Sequence, residues 1–214
     1  MASAVSICNL ALDRIGDSAN IASIDPPEKS AQAQMCSIFY PMSVSACLEM
    51  FDWSFATRQV SVAKLANVET GGWQYAFPVP SDSLRIIRIR DYHWQSGRIL
   101  AGIPATAMQL GTDVRYETGA VGNQHVFYCD VEHPVVTYIS GDTNVAMFSP
   151  AFVDALAWHL ASALCGARVK GKEGQQLVQL CQRQFVQSLS VARDRDAKQQ
   201  KKRIDFIPAW LRGR

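Results

Sequence analysis

A chain of 214 residues with 48% hydrophobic and 19% charged residues holds enough apolar material for a sizeable core and lies far from disordered or collagen-like compositions. The formal net charge is +2, but the stretch from Arg193 to Arg214 has eight Lys/Arg against three Asp/Glu, leaving 13 basic and 16 acidic residues upstream. The body is thus near −3 (13 − 16) and the end of the chain near +5 (8 − 3), which argues against a folded surface built to coat nucleic acid.

The first segment, Met1 to Val5, lacks the basic and long apolar regions of a secretion leader, and no stretch reaches the roughly 18 apolar residues of a membrane span. Val5, Cys8, Leu12 and Ile15 then recur at three- and four-residue steps, which predicts a helix from Val5 to Ile15 with Gly16 as its C-terminal stop. A second helix is expected from Asp25-Pro26-Pro27-Glu28, with Asp25 as cap, Pro26 in the first turn and Glu28 completing a capping box. Its stripe of Ala31, Met35, Ile38, Phe39, Met42 and Ala46 runs on towards Met50, with a kink expected at Pro41, which removes a backbone donor. Phe51, Trp53 and Phe55, at alternate positions, suit a wedge of core contacts against the next layer.

Between Trp73 and Ser140 the period becomes alternating. Strands are expected at Tyr75–Val79, Leu84–Arg90, Val114–Glu117, His125–Val131 and Val135–Ile139, punctuated by Gly71-Gly72, Pro80-Ser81-Asp82, Gly122-Asn123 and Gly141-Asp142. Ser149-Pro150 opens a third helix reaching about Val169. After Gly171 a fourth carries Leu177, Leu180, Cys181, Phe185 and Leu189, becomes polar from Arg193 through Arg203, and is expected to project from the body. The expected fold class is α+β: an antiparallel bundle of four main helices with an inserted β-rich domain and an extended C-terminal tail. Residues 1–70 and 143–200 form the bundle, 71–142 the insert and 201–214 the tail.

Sites of chemistry are sparse in the sequence. Cys8, Cys36, Cys47, Cys129, Cys165 and Cys181 form no C-x-x-C pair and have mostly apolar neighbours, as buried reduced thiols and assembly in a cytoplasm would require. His125, Cys129 and His133 share one face of a predicted strand, but the outer two Cα atoms would lie about 26 Å apart, too far for ligands of one metal ion. His159 has no Ser or Cys elbow beside it, and Glu49 and Asp52 are the nearest pair of carboxylates. The motifs G-x-x-x-x-G-K-[ST], G-x-G-x-x-G and H-E-x-x-H do not occur. Neither catalytic residues nor a cofactor or metal site is expected.

The least ordinary segment is the end of the chain. Ile204, Phe206, Ile207, Trp210 and Leu211 are too few for a core and too apolar for water, and they follow a long hydrophilic stretch. A docking tail is expected, made of Lys201, Lys202, Arg203, Ile204, Phe206, Ile207, Pro208, Trp210 and Leu211, with Phe206 and Trp210 as anchors in a groove of another subunit.

Several segments in order resemble the head-to-tail adaptor of short-tailed bacteriophages, the tail tubular protein A family. They are Ile7-Cys8-Asn9-Leu10-Ala11-Leu12-Asp13-Arg14-Ile15-Gly16, Ile24-Asp25, Phe39-Tyr40-Pro41, Asp52-Trp53-Ser54-Phe55-Ala56, Pro78-Val79-Pro80-Ser81-Asp82-Ser83-Leu84-Arg85 and Phe152-Val153-Asp154-Ala155-Leu156-Ala157, covering roughly Ser3 to Ala192. The resemblance implies a helical bundle interrupted by a β-rich domain. It also implies a structural virion protein in a ring of twelve subunits, seated beneath the portal protein with a tail nozzle of the tail tubular protein B type below. Duplex DNA would pass through its axial channel without sequence readout. In related adaptors a C-terminal extension reaches the portal, which implies that role for Ile204 to Leu211. Two other classes compete: a virion-associated peptidoglycan hydrolase using Glu49 or Asp52, and a nucleic-acid module acting through Lys198 to Arg203.

Overall fold

The computed structural model describes residues 2–66, 69–91, 113–168 and 171–199. The first helix, α1 (Ala4–Arg14), is capped by reciprocal bonds: Ser6 N donates to Ser3 Oγ at 3.1 Å and Ser3 N to Ser6 Oγ at 2.9 Å. It ends at Ile15, followed by Gly16 at φ +77°, a left-handed position that favours glycine. Asn9 holds the next loop, its Nδ2 donating to Ile21 O at 3.0 Å while Ile21 N donates to its Oδ1 at 2.9 Å.

The second helix, α2 (Ala31–Glu49), starts later than the Asp25-Pro26 signal suggests. Ser30 caps it by accepting from Ala33 N at 3.2 Å, because the Glu28 carboxylate is held by Ala22 N at 3.2 Å and Ser30 Oγ at 2.8 Å. It runs through Pro41, which is exposed. The central helix is α3 (Pro150–Arg168), where Ser149 Oγ accepts from Phe152 N at 3.2 Å and Phe152, Leu156, Leu160 and Leu164 are fully buried. Helices α1, α2 and α4 (Gly171–Gln199) all pack on it. Arg14 ties α1 to α3: it pairs with the Asp154 carboxylate, donates to Asp154 O at 2.8 Å and lies 4.1 Å over the Trp158 ring.

Six strands follow the wedge: β1 (Thr57–Ser61), β2 (Tyr75–Pro78), β3 (Ser83–Asp91), β4 (Glu117–Val121), β5 (Gln124–Cys129) and β6 (Pro134–Ser140). They make two three-stranded antiparallel sheets, β1-β6-β3 and β2-β5-β4. Phe77, Ile89, Phe127, Cys129, Val136 and Tyr138 form one buried cluster joining the two sheets. Ile139 belongs instead to the helical core, with half-buried Leu84 and Ile87 packed against it.

Composition is therefore α+β, with four helices and two sheets among the described residues, but a helical bundle carrying an inserted β-rich domain is overturned. Alternate residues of a strand face opposite ways. Strand β6 uses both faces, Val136 and Tyr138 towards the second sheet and Ile139 towards the helices, so helices and first sheet share one core. Strand β1, for which the sequence gives no alternating signal, is an edge strand held by its register with β6, Thr57 opposite Ile139 and Ser61 opposite Val135. Trp53 is fully buried at the junction, its ring centroid 4.8 Å from Phe152, 5.1 Å from Phe51 and 5.9 Å from Phe55, and its Nε1 donates to Cys47 O at 2.9 Å.

Candidate functional site

The expected docking residues Lys201, Lys202, Arg203, Ile204, Phe206, Ile207, Pro208, Trp210 and Leu211 lie outside the described residues. The structure does place the helix from which they continue. Within the described residues α4 stays against the body as far as Asp196, although its sequence turns polar at Arg193, and the rest of the expected projection, 200–203, lies outside them. Leu189, Ala192 and Asp196, at three- and four-residue steps, are buried on one face, and that face meets the turn after α2. Asp196, 6% exposed, accepts from Ser54 N at 3.0 Å and from Ser54 Oγ at 2.6 Å. Arg193 Nη2 donates to Met50 O at 2.8 Å, and its guanidinium lies 5.9 Å from the Phe51 ring centroid. Polar contacts dock this helix end, which is why a search for apolar periodicity misses it.

Beside the anchored end is an open cleft of about 320 Å³ lined by Asp52, Ser54, Thr57, Gln59, Ile87, Arg88 and Thr137. Asp52 is paired with Arg85 at 2.5 Å and Thr57 Oγ1 donates to Trp53 O at 2.7 Å. Thr137 Oγ1 and Arg88 Nε are buried without a hydrogen-bond partner among the described residues. The cleft offers donors and acceptors for a polar segment. Glu49 ends α2 at the surface, while the Asp52 side chain is 45% exposed and tied to Arg85, so neither carboxylate sits in the apolar enclosure that favours a general acid.

A second polar cluster fixes the turn between β2 and β3. Asp82 accepts from Ser140 Oγ at 2.7 Å, from Tyr138 Oη at 3.0 Å and from Arg58 at 3.1 Å. Burial opposes its ionisation, but the bonds from Ser140 and Tyr138, its own backbone amide and the charge of Arg58 bring the carboxyl below its ordinary value. Its residues join β3 to the end of β6, a structural role.

His125 and Cys129 lie on β5, whereas His133 falls in the turn before β6, so the three do not share a strand. Cys129 is buried, its thiol donating to Val131 O at 3.6 Å. Among the described residues no group of three His, Cys, Asp or Glu is arranged to hold a metal ion. All six cysteines are buried and unpaired, and burial pushes the Cys47 thiol up to about 12. His159 is pushed below its ordinary value by burial against Phe185, whose ring centroid is 4.9 Å away. Among the described helices, none is long and apolar enough to cross a membrane.

No protein-family model matches the chain, and no curated protein matches it.

Proposed function

We propose that the chain is a structural subunit of a phage virion tail, a head-to-tail adaptor that forms a ring between the portal protein and the tail nozzle. The observation that carries this reading is the ordered set of adaptor-like segments from Ile7 to Ala157, four of whose residues make tertiary contacts. Asn9 clamps the Ile21 loop, Arg14 grips Asp154, Trp53 fills the junction of helices and sheet, and Asp82 gathers β3 and β6. In this reading the subunit assembles in the host cytoplasm and does no chemistry; it works by binding.

The tail supplies the portal contact. Its aromatic anchors Phe206 and Trp210 hold the complex, and Lys201, Lys202 and Arg203 speed encounter. A body of net charge near −3 (13 − 16) lets duplex DNA slide through the channel instead of gripping its phosphates. Gel filtration of purified chain with portal rings tests the proposal. The full chain should co-elute with the portal, and the F206A/W210A variant should lose at least about 100-fold in affinity, the value of two buried aromatic anchors. An unchanged elution for that variant would refute the assigned tail role.

A further inference from the structure

An extra residue in β3 decides which way one arginine points. Ile86 stands opposite Tyr138 and Arg88 opposite Thr137, so Ile87 is a bulge in the ladder with β6. Strand residues alternate between faces, and without Ile87 the Arg88 side chain would stand opposite Val136, where Ile89 and Val136 now pack into the buried cluster between the sheets. The bulge turns Arg88 to the other face, which Thr137 shares with Ile139. Gln59 also stands opposite Thr137, so Gln59, Thr137 and Arg88 form one polar row across β1, β6 and β3. That row lines the cleft of about 320 Å³ together with Asp52 and Ser54 from the turn after α2.

The turn is held in place by partners of its own. Asp52 is paired with Arg85 at 2.5 Å, and Ser54 Oγ donates to Asp196 at 2.6 Å. The row is not. Arg58, Arg85 and Arg90 of the same sheet pair with Asp82, Asp52 and Asp113, but Arg88 Nε has no hydrogen-bond partner among the described residues. Thr137, 1% exposed, likewise has its Oγ1 buried without one. Buried donors are costly to leave unmade, and these two stand side by side at an open cleft. With the Asp52 charge matched by Arg85, Arg88 is the charge of the lining that calls for a counterpart.

We propose that this cleft binds a carboxylate. Its two oxygens take the guanidinium of Arg88 and the proton of Thr137, the long arginine side chain swinging onto the anion as it enters. A carboxylate matches the planar guanidinium fork in shape and in charge. The Gln59 amide, in the same row, supplies a further donor. Asp52, although paired, lies in the same lining and disfavours the second negative charge of a phosphate. A free small acid and an acidic side chain of a protein neighbour both present the required group. The site belongs to the body and stands apart from the tail and its portal role.

Saturation-transfer NMR on the full chain at constant ionic strength tests it with two probes, acetate and a terminally blocked pentapeptide bearing one glutamate among glycines. Acetate should saturate with a Kd of about 1–10 mM, which is what so small a ligand can supply. R88Q should weaken it at least about 10-fold and T137V about 5-fold. R58Q, on the opposite face of the sheet, should leave it unchanged. R88K keeps the charge without the fork and should weaken binding about 5-fold, so it serves if R88Q does not fold by circular dichroism. Because the Thr137 hydroxyl has no partner, ligand-free T137V should keep or raise the thermal midpoint. A peptide that binds tighter than acetate identifies a protein side chain as the occupant, and equal or weaker peptide binding identifies a free acid. No saturable binding of either probe, wild-type binding in R88Q or T137V, an equal loss in R58Q, tighter binding of inorganic phosphate than of acetate, or a lowered midpoint in T137V would each overturn the proposal.

Discussion

Replacing Asp196 by alanine should release the last turns of α4. Two hydrogen bonds to the carboxylate are lost, from Ser54 N at 3.0 Å and Ser54 Oγ at 2.6 Å. Bonds to a charged group contribute about 1.5–3 kcal/mol each, so these two together contribute about 3–6 kcal/mol before solvent is counted. Ser54 is exposed, and water takes over much of its bonding, which lowers the expected cost to about 1–2 kcal/mol. The loss should be local, since Arg193 and Ala192 precede the released segment and stay packed. Hydrogen exchange at Ser54 and across 194–199 should accelerate by about 5- to 30-fold, the equivalent of that energy. The thermal midpoint should fall by no more than about 2–8 °C for a chain of this size. Asp196→Asn, which keeps one acceptor oxygen, should fall between. Unchanged exchange at Ser54 and the end of α4 in Asp196→Ala would refute the view that this carboxylate anchors the helix.

Other outcomes follow from the core and its titrating groups. Trp53→Ala removes a fully buried ring and the donor to Cys47 O, and should cost about 3–5 kcal/mol by denaturant unfolding. The Asp82 carboxyl is held below its ordinary value, so its contribution is present above the unfolded value of about 3.9 and is lost as pH falls through the folded one. Asp82→Asn should accordingly flatten the decline of thermal stability on acidification, and an unaltered slope would count against the cluster. His159 is depressed, so the unfolded chain takes up its proton first and stability falls as pH drops below about 6.5. His159→Leu should remove that component from a midpoint-against-pH series.

Where the sequence carries periodicity together with a stop or cap, the structure follows it closely. Helix α1 ends before Gly16, α3 begins after Ser149, and the Phe51-Trp53-Phe55 wedge lies at the meeting of layers. The failures share a cause, which is that tertiary partners decided the outcome. Glu28 is drawn into its own loop, so α2 begins with Ser30. Strand β1 is made by pairing with β6, and four of its five residues are exposed, leaving no pattern to read. Strand β4 begins at Glu117, beyond the Val114 stretch, because Val114 N is taken by Ile89 O at 2.9 Å while β4 turns at Gly122-Asn123 to meet β5. The two-faced burial of β6, which merges sheet and helices, depends on what lies on each side of it and is invisible along the chain. The open cleft beside Ser54 gathers residues from four segments between Asp52 and Thr137, and no local motif announces it. The proposed docking role of Ile204 to Leu211 is read from composition and the resemblance, and lies outside the described residues.

Electron microscopy of the chain mixed with purified portal rings addresses the adaptor proposal most directly. The full chain should add a closed ring of subunits to one end of the portal, and a chain lacking residues 204–214 should keep the circular dichroism of the folded body while leaving the portal bare. A truncated chain that still seats on the portal, or a full chain that never does, would contradict the account.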